Sequence, residues 1–406
     1  MTFPSARLYC LSLNFRLAAI ERREVFALSE SALAGLLRAL VDGGLALEAI
    51  VLSTCHRFEL YCIAAPGTTP DAIRDQLLEE VGLAHGKTPN FTVIADLDAV
   101  RRLFRIASGL ESLVLGENQV LSQMKDAYRI ACDAETSGFH LNACFHRAFR
   151  VGKAVRSQTR LSAGGSSVGT VAVDMAARDG RVADKRVLVV GAGEIGALCL
   201  RAAVARKPAT LTLVNRTTRR GPARDLAAKH NARFAPLEAL AGELLRHDAV
   251  FTATASPDAV ITLAMLRGAD GLAVYDLALP RDVEEGADRL PGVFYYTVDD
   301  IQPHADRLAI ERADAIPAAE ALVNAALADF DAWLLELSAV PSIRRILELG
   351  GALQAEEDAF LAERLSGDAL DAARHSVRRL SQNLMRTIID ELKRTVRNTR
   401  RRTGGA

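Results

Sequence analysis

Residues 186–196, RVLVVGAGEIG, constrain the fold more than any other stretch of this chain. A short apolar run ends at Val190, glycines fall at 191, 193 and 196, and an alanine-rich helical stretch follows. That strand, turn and helix setting is what gives GxGxxG its meaning. The glycines permit a tight turn and let the backbone approach a pyrophosphate, whose charge then lies on the helix N-terminus. Gly191, Ala192, Gly193, Glu194, Ile195 and Gly196 are therefore expected to hold a dinucleotide. The helix should run to about Arg206, where Lys207 and Pro208 break it, and Thr210–Val214 reads as the next strand. Further strands at Ala249–Thr252 and Gly271–Leu277 alternate with helical stretches, as a parallel Rossmann sheet requires. The second strand ends in Asn215, Arg216 and Thr217, close to where an acidic residue would meet a ribose 2′-hydroxyl. Arginine there invites a 2′-phosphate instead, so these residues point to NADP(H), with Arg219 and Arg220 adding to the field.

A chain of 406 residues exceeds the size of one core, so two or three domains are expected. Upstream of the glycine motif the pattern reads strand (Arg7–Leu13), helix (Ser29–Val41), strands (Ala49–Ser53 and Phe58–Ile63), helix (Asp71–Glu80) and strand (Phe91–Ile94). That order is the split βαβ, or ferredoxin-like, arrangement. Helical periodicity follows from Asp96 to Leu161, and the glycine-rich segment Leu161–Thr170 suits a connector. After Asp300 strand signals cease. Ile316, Ala319, Val323, Ala326, Phe330, Trp333 and Leu337 form a narrow a/d seam that fits a partner helix, and Ser376–Arg397 is again helical. The expectation is an α/β multidomain chain with three parts: an N-terminal ferredoxin-like α+β domain over 1–162, a central Rossmann domain over 163–304, and an all-helical dimerisation domain over 305–406.

Composition excludes several classes. Fifty basic side chains balance 50 acidic ones, and half the residues are hydrophobic, which argues against disorder and against a secreted disulfide scaffold. No apolar run approaches the roughly 20 residues that span a bilayer, and MTFPSARLYC lacks a basic start, so the cytoplasm is the default and no membrane is expected. The six cysteines form no CxxC pair and the eight histidines are dispersed, so no metal is expected.

Two clusters could carry chemistry. In VLSTCHRFELYC a strand breaks at Thr54, Cys55, His56 and Arg57. A thiol beside a histidine and an arginine could have a useful thiolate population, although a structural cysteine fits the same setting. In SGLESLVLGENQVLSQMKDAY, Ser112, Glu117, Asn118, Gln119 and Gln123 gather around Gly116 at the start of a helix. They could line a polar pocket, with Glu117 for an ammonium group and Arg57 for a carboxylate, or they could simply cap the helix.

STCHRFELYC, GLESLVLGENQVLSQMKDAY, VLVVGAGEIG with VNRT, and YDLALPRDVE with FYYTVDDI together resemble the successive signatures of the glutamyl-tRNA reductase family, in order. The resemblance implies that Cys55 attacks the ester joining glutamate to the tRNA(Glu) 3′ end and holds the amino acid as a thioester, which NADPH reduces to glutamate 1-semialdehyde. It further implies that Thr54, Cys55, His56, Arg57, Ser112, Glu117, Asn118, Gln119 and Gln123 bind the glutamyl group. Two further partners are implied: a second copy through the C-terminal helices, and a transient complex with the enzyme that consumes the aldehyde. Asp276, Pro280 and Arg281 match another family segment whose plain role is a sheet end and turn. Basic residues at 392–402, and Arg147, Arg150, Lys153 and Arg156, are candidates for tRNA phosphates.

The match has departures close to the chemistry. This chain has His56, Phe58 and Asn118 where the family usually has asparagine, threonine and proline, and Phe15 and Arg102 where it carries histidines. Arginine stays protonated and cannot act as a general base. Either His56 handles protons or Arg102 supplies electrostatic help, and both are carried as catalytic candidates with Cys55. The alternatives are a divergent paralogue with lost or altered activity, and an NADP-dependent dehydrogenase of a small metabolite that would not need Cys55.

Overall fold

The computed structural model describes residues 6–403 apart from 17, 55, 84–89, 118, 162–166, 217–220 and 312. Cys55, Asn118, Thr217, Arg219 and Arg220 thus lie outside the described residues, as do half of the connector (162–166) and the basic side chains from 396 onward. Residues 6–324 pack as one compact unit, and Ala325 onward forms another.

The first part comprises β1 (Arg7–Asn14), α1 (Ile20–Glu24), α2 (Glu30–Asp42), β2 (Ala46–Thr54), β3 (Arg57–Ala64), α3 (Pro70–Glu80), β4 (Thr92–Ala95), α4 (Asp96–Ala107), α5 (Gln119–Asp133) and α6 (Phe139–Gln158). Its sheet has the order β2-β3-β1-β4 with every pair antiparallel, the ferredoxin-like arrangement expected from the sequence. Alternation along β1 and β3 divides their side chains between two faces. The register sets Cys10 opposite Tyr61, Ser12 opposite Glu59 and Asn14 opposite Arg57, so one face of the two central strands carries a polar stripe. α4 packs on β1 and brings Arg102 to that stripe, while α5 and α6 lie against β2. Gly152 allows α6 close to α4, since a Cβ there would stand 2.4 Å from the Ala107 carbonyl oxygen.

α7 (Val168–Arg178) follows, beginning inside the segment expected to be a connector. The reason is a capping box: the Ser167 hydroxyl accepts from the Thr170 amide at 3.2 Å, and the Ser167 amide donates to the Thr170 hydroxyl at 2.7 Å. The second part then runs β5 (Arg186–Val190), α8 (Glu194–Val204), β6 (Thr210–Asn215), α9 (Pro222–Lys229), β7 (Arg233–Pro236), α10 (Leu240–Leu244), β8 (Ala249–Thr252), α11 (Leu263–Leu266), β9 (Leu272–Asp276) and β10 (Val293–Thr297). These strands form one all-parallel sheet, β10-β9-β8-β5-β6-β7, which is the doubly wound Rossmann order. Val187, Val189, Leu213 and Phe251 face one apolar cluster and Leu188, Val190, Val214 and Val250 another, so both sheet faces are covered. Ile20, Leu113 and Val114 of the first part belong to the first of these clusters. The two parts therefore share a continuous core, which is why 6–324 behaves as a single unit.

α12 (Gln302–Glu311), α13 (Ile316–Ser338), α14 (Val340–Ala362) and α15 (Gly367–Thr403) complete the chain. Ala319, Val323 and Phe330 of the expected seam are fully buried. α14 and α15 pack together and leave Leu353, Phe360, Leu380, Leu384 and Ile388 exposed. Among the described residues no helix is long and apolar enough to cross a membrane.

Candidate active site

β2 and β3 are joined through residues 55 and 56, with Thr54 paired to Arg57 across the last rung. A connection this short holds Thr54, His56 and Arg57 together at one end of the sheet. Facing them is the segment after α4, folded back on itself by Gly109 and Gly116. Both glycines have positive φ (75° and 78°), and the Gly116 amide donates to the Gly109 carbonyl at 3.0 Å. A Cβ on Gly109 would stand 3.0 Å from the Gly116 Cα, so no larger residue fits there without movement. That closed loop presents Glu111, Ser112 and Glu117.

Arg57 is 3% exposed and reaches the loop, donating from Nη2 to the Glu111 carbonyl. Among the described residues its Nη1 is buried with no hydrogen-bond partner, 3.7 Å from Glu59, and the Ser112 hydroxyl is likewise buried and unpartnered. Leaving such groups unpaired costs about 1–3 kcal/mol each, so both atoms suit the polar groups of a ligand or a water. Glu117 and Gln119 are buried close by, and Gln123 and Thr54 are half-buried. Burial pushes the Glu117 carboxyl up to about 7, against the Val168 amide and Arg57, with Glu194 of α8 adding to the rise. An arriving ammonium group would favour its ionised form.

Sequence reasoning missed Glu59, Ser12 and Tyr61, which complete the polar stripe. Glu59 has no exposure to solvent and accepts from Tyr61 Oη at 2.7 Å, Ser12 Oγ at 3.2 Å, and Arg102 Nε and Nη2 at 3.0 and 2.6 Å. Arg102 Nη2 also donates to Ser12 at 3.0 Å. The signal that could have found Glu59 is its i, i+2 relation to Arg57 on a strand, which puts two opposite charges on one face. Arg102 is thus the cation of a buried pair, and Glu59, which balances it, lies on β3 beside the expected substrate residues. His56 is held neutral: burial first, then Arg23 and Arg57, push its imidazole down to about 3. A ring so weakly basic has little capacity to take up protons near neutral pH. Of the described cysteines, Cys10, Cys62, Cys144 and Cys199 are buried, and burial pushes the thiols of Cys62 and Cys199 up to about 12 and those of Cys10 and Cys144 well up. Such thiols are poor nucleophiles.

The glycine turn forms the second half of the site. Gly191 has φ 99°, and a Cβ there would meet the Ala253 carbonyl oxygen at 2.4 Å, so this residue fixes the contact between β5 and the end of β8. A Cβ on Gly196 would lie 2.1 Å from the Gly191 carbonyl oxygen. Gly193, which caps α8, faces open space instead. Bare backbone facing an open cleft at a helix N-terminus suits a pyrophosphate. The cavity there, about 300 Å³, is lined by Gly191, Ala192, Gly193, Asn215, Arg216 and Thr254, while Glu194, Ile195 and Gly196 begin the helix behind it. A larger opening of about 730 Å³ lies at the amino ends of β5, β6 and β7 between Arg186, Lys207 and Arg233. Ligands of open parallel sheets bind at the carboxyl ends, so the smaller cavity is the candidate nucleotide site.

Comparison with known proteins gives three family matches along the chain. Residues 11–159 match the glutamyl-tRNA(Glu) reductase N-terminal domain, 174–304 match shikimate/quinate 5-dehydrogenase, and 318–404 match the glutamyl-tRNA(Glu) reductase dimerisation domain. The central match supports a nicotinamide dinucleotide and the last supports a homodimer. The glutamyl-tRNA reductase of Rubrobacter xylanophilus is 34% identical over 390 residues, covering 94% of this chain and 90% of that protein. That of Nitrosomonas europaea is 36% identical over 348 residues, covering 84% and 82%. The solved glutamyl-tRNA reductase of Methanopyrus kandleri aligns with 97% of this chain and 98% of its own, at 31% identity and a TM-score of 0.50. With sequence identity of this level along nearly its whole length, the chain belongs to the glutamyl-tRNA reductase family.

Proposed function

We propose that this enzyme reduces the glutamyl ester of tRNA(Glu) with NADPH to glutamate 1-semialdehyde, through a thioester on Cys55. The observation that carries the reading is the pair of buried, unpartnered polar atoms, Arg57 Nη1 and Ser112 Oγ, beside the loop that contains Cys55. In this reading Arg57 holds the substrate carboxylate, Glu117 its ammonium group, and Thr54, Ser112, Asn118, Gln119 and Gln123 the remaining polar atoms. The Cys55 sulfur attacks the ester carbonyl, the bond to the tRNA 3′ oxygen breaks, and the tRNA departs. Bound NADPH supplies the hydride for the second step. A thioester carbonyl is less resonance-stabilised than an ester, so the covalent step makes reduction feasible.

Arg216 at the edge of the nucleotide cavity, with Asn215 and Thr217 beside it in sequence, is the support for a 2′-phosphate and hence for NADPH. Arg102 acts by holding Glu59, and His56 as a neutral ring that frames the loop. The domains are read as 1–162 for the glutamyl group, 163–304 for NADPH and 305–406 for dimerisation. Four buried free thiols suit a reducing cytoplasm. A reactive aldehyde is best passed directly to the enzyme that consumes it, so a transient complex with that enzyme belongs to the proposal. The test is to supply glutamyl-tRNA(Glu) and NADPH and assay semialdehyde. Cys55→Ser should abolish the product, and full activity in that variant would favour a dehydrogenase that does without the covalent route.

A further inference from the structure

Residues 15, 16 and 18–24 stand between the two halves of the site. The Phe15 amide donates to the His56 carbonyl at 2.9 Å, in the loop that contains Cys55, while the Phe15 ring packs on the apolar cluster of the nucleotide domain. Ile20, at the start of α1, is buried within that same cluster. Three ionic contacts follow from this one short helix, the weakest between Glu21 Oε1 and Arg281 Nη1 at 3.5 Å. Arg23, only 2% exposed, donates from Nε to the Ala18 carbonyl at 3.1 Å and pairs through Nη2 with Asp299, just past β10. Glu24 accepts three hydrogen bonds from Arg281: the backbone amide at 2.8 Å and Nε at 2.9 Å on Oε1, and Nη2 at 2.9 Å on Oε2.

The Arg281 contact continues to the nucleotide cavity. Next to it in sequence, Asp282 accepts from Thr252 Oγ1 at 2.5 Å and from the Thr254 amide at 2.8 Å, and also binds the Thr254 hydroxyl. Thr254 lines the cavity at the glycine turn. A connected path thus runs from the Cys55 loop through α1, Glu24, Arg281 and Asp282 to the wall of the nucleotide site. An exposed ion pair could not transmit geometry, but this one is bidentate, reinforced by a backbone amide, and only 18% and 17% exposed at its two side chains.

We infer that Glu24 and Arg281 are positioning residues for the second half-reaction: they set the nucleotide domain against the Cys55 loop at the separation that reduction of the thioester requires. The inference rests on the thioester reading above. In that half-reaction the thioester carbonyl carbon accepts a hydride from the reduced nicotinamide, which is thereby oxidised. The carbon–sulfur bond then breaks, the aldehyde leaves and the sulfur is free to take up a proton from solvent. The residues proposed to bind and acylate the glutamyl group all lie in 1–162, so acylation should depend on this contact far less than reduction does.

The experiment compares the unmodified full chain with Arg281→Ala, Arg281→Lys, Glu24→Gln and the charge exchange Glu24→Arg with Arg281→Glu. Four quantities are measured: acylation by labelled glutamyl-tRNA(Glu) without NADPH, NADPH affinity by titration, semialdehyde formation, and amide exchange at residue 281. Acylation and NADPH affinity should stay within about twofold, whereas a displacement of about 1 Å should lower semialdehyde formation up to about 10²-fold. Arg281→Lys should fall between, the charge exchange should recover part of the loss, and Glu24→Gln should speed exchange of the Arg281 amide. Semialdehyde formation that stays unchanged in both Arg281→Ala and Glu24→Gln, or that falls only in step with acylation, overturns the inference. Acylation that never occurs in the unmodified protein would sink the thioester reading and the inference with it. Normal acylation with an unresponsive aldehyde yield would sink the positioning role alone.

Discussion

Replacing Arg102 with methionine removes the nearest cation from a carboxylate that has no contact with water. Glu59 is fully buried on the central strand β3, and Arg102 gives it two of its shortest hydrogen bonds, at 2.6 and 3.0 Å. Breaking a buried ion pair from one side costs about 3–5 kcal/mol, because the remaining charge stays desolvated. Ser12, Tyr61 and the Arg57 guanidinium at 3.7 Å remain to soften that loss, so the lower end, about 3 kcal/mol, is expected. Several domains unfold in this chain, so the readout should be local: amide exchange along β1 and β3, accelerated roughly 10²-fold. Adding Glu59→Gln should restore most of the protection, with a coupling of about 2 kcal/mol in the double-mutant cycle. Arg102→Met changing exchange by less than about threefold, or the two substitutions adding without coupling, would refute the view that Arg102 is the counter-charge of Glu59.

The glycine turn separates folding from binding. Gly193→Ala meets no protein atom within 4 Å and should leave thermal stability unchanged while weakening NADPH binding about tenfold or more. Gly191→Ala, with φ 99° and a 2.4 Å clash, should lower both. Equal stability loss in the two variants would contradict these roles. Glu117, raised to about 7 from 4.5 by burial, keeps its proton in the folded state after the unfolded chain has lost it. Its contribution to stability is therefore complete below pH 4.5 and is lost as pH rises through 7, by up to about 3 kcal/mol. Asp276, also raised to about 7, acts in the same direction, so Glu117→Gln should flatten the stability profile over that window only in part. An unaltered slope would count against a buried carboxyl. His56, pushed down to about 3, has the opposite sign: its contribution is present above pH 6.5 and lost as pH falls toward 3, and His56→Gln should remove that acid sensitivity. Urea midpoints at several pH values measure both.

Local pattern carried the strands and the glycine turn. Continuous apolar runs such as Val187–Val190 and Ala249–Thr252 are buried on both faces, so hydrophobicity alone marks them. β7 escaped notice because Arg233–Pro236 has four residues, with a charge at one end and a proline at the other. α7 was hidden by the small residues before it, although Ser167 and Thr170 carried its cap. The substrate residues were visible as a cluster, but what surrounds them was not. Nothing in the run IERRE marks Arg23 as buried, because its partner Asp299 lies 276 positions away. Likewise Glu59 and Arg102, 43 positions apart, become one pair only after α4 has packed on β1. Charges satisfied over such distances look like surface charges until the fold brings them together.

The most direct measurement is mass spectrometry of the intact, NADPH-free protein after mixing with glutamyl-tRNA(Glu), followed by peptide mapping. A glutamyl adduct on the peptide containing Cys55, absent in Cys55→Ala and discharged when NADPH is added, is the expected result. No adduct on that peptide, with semialdehyde still formed on adding NADPH, would contradict the covalent route.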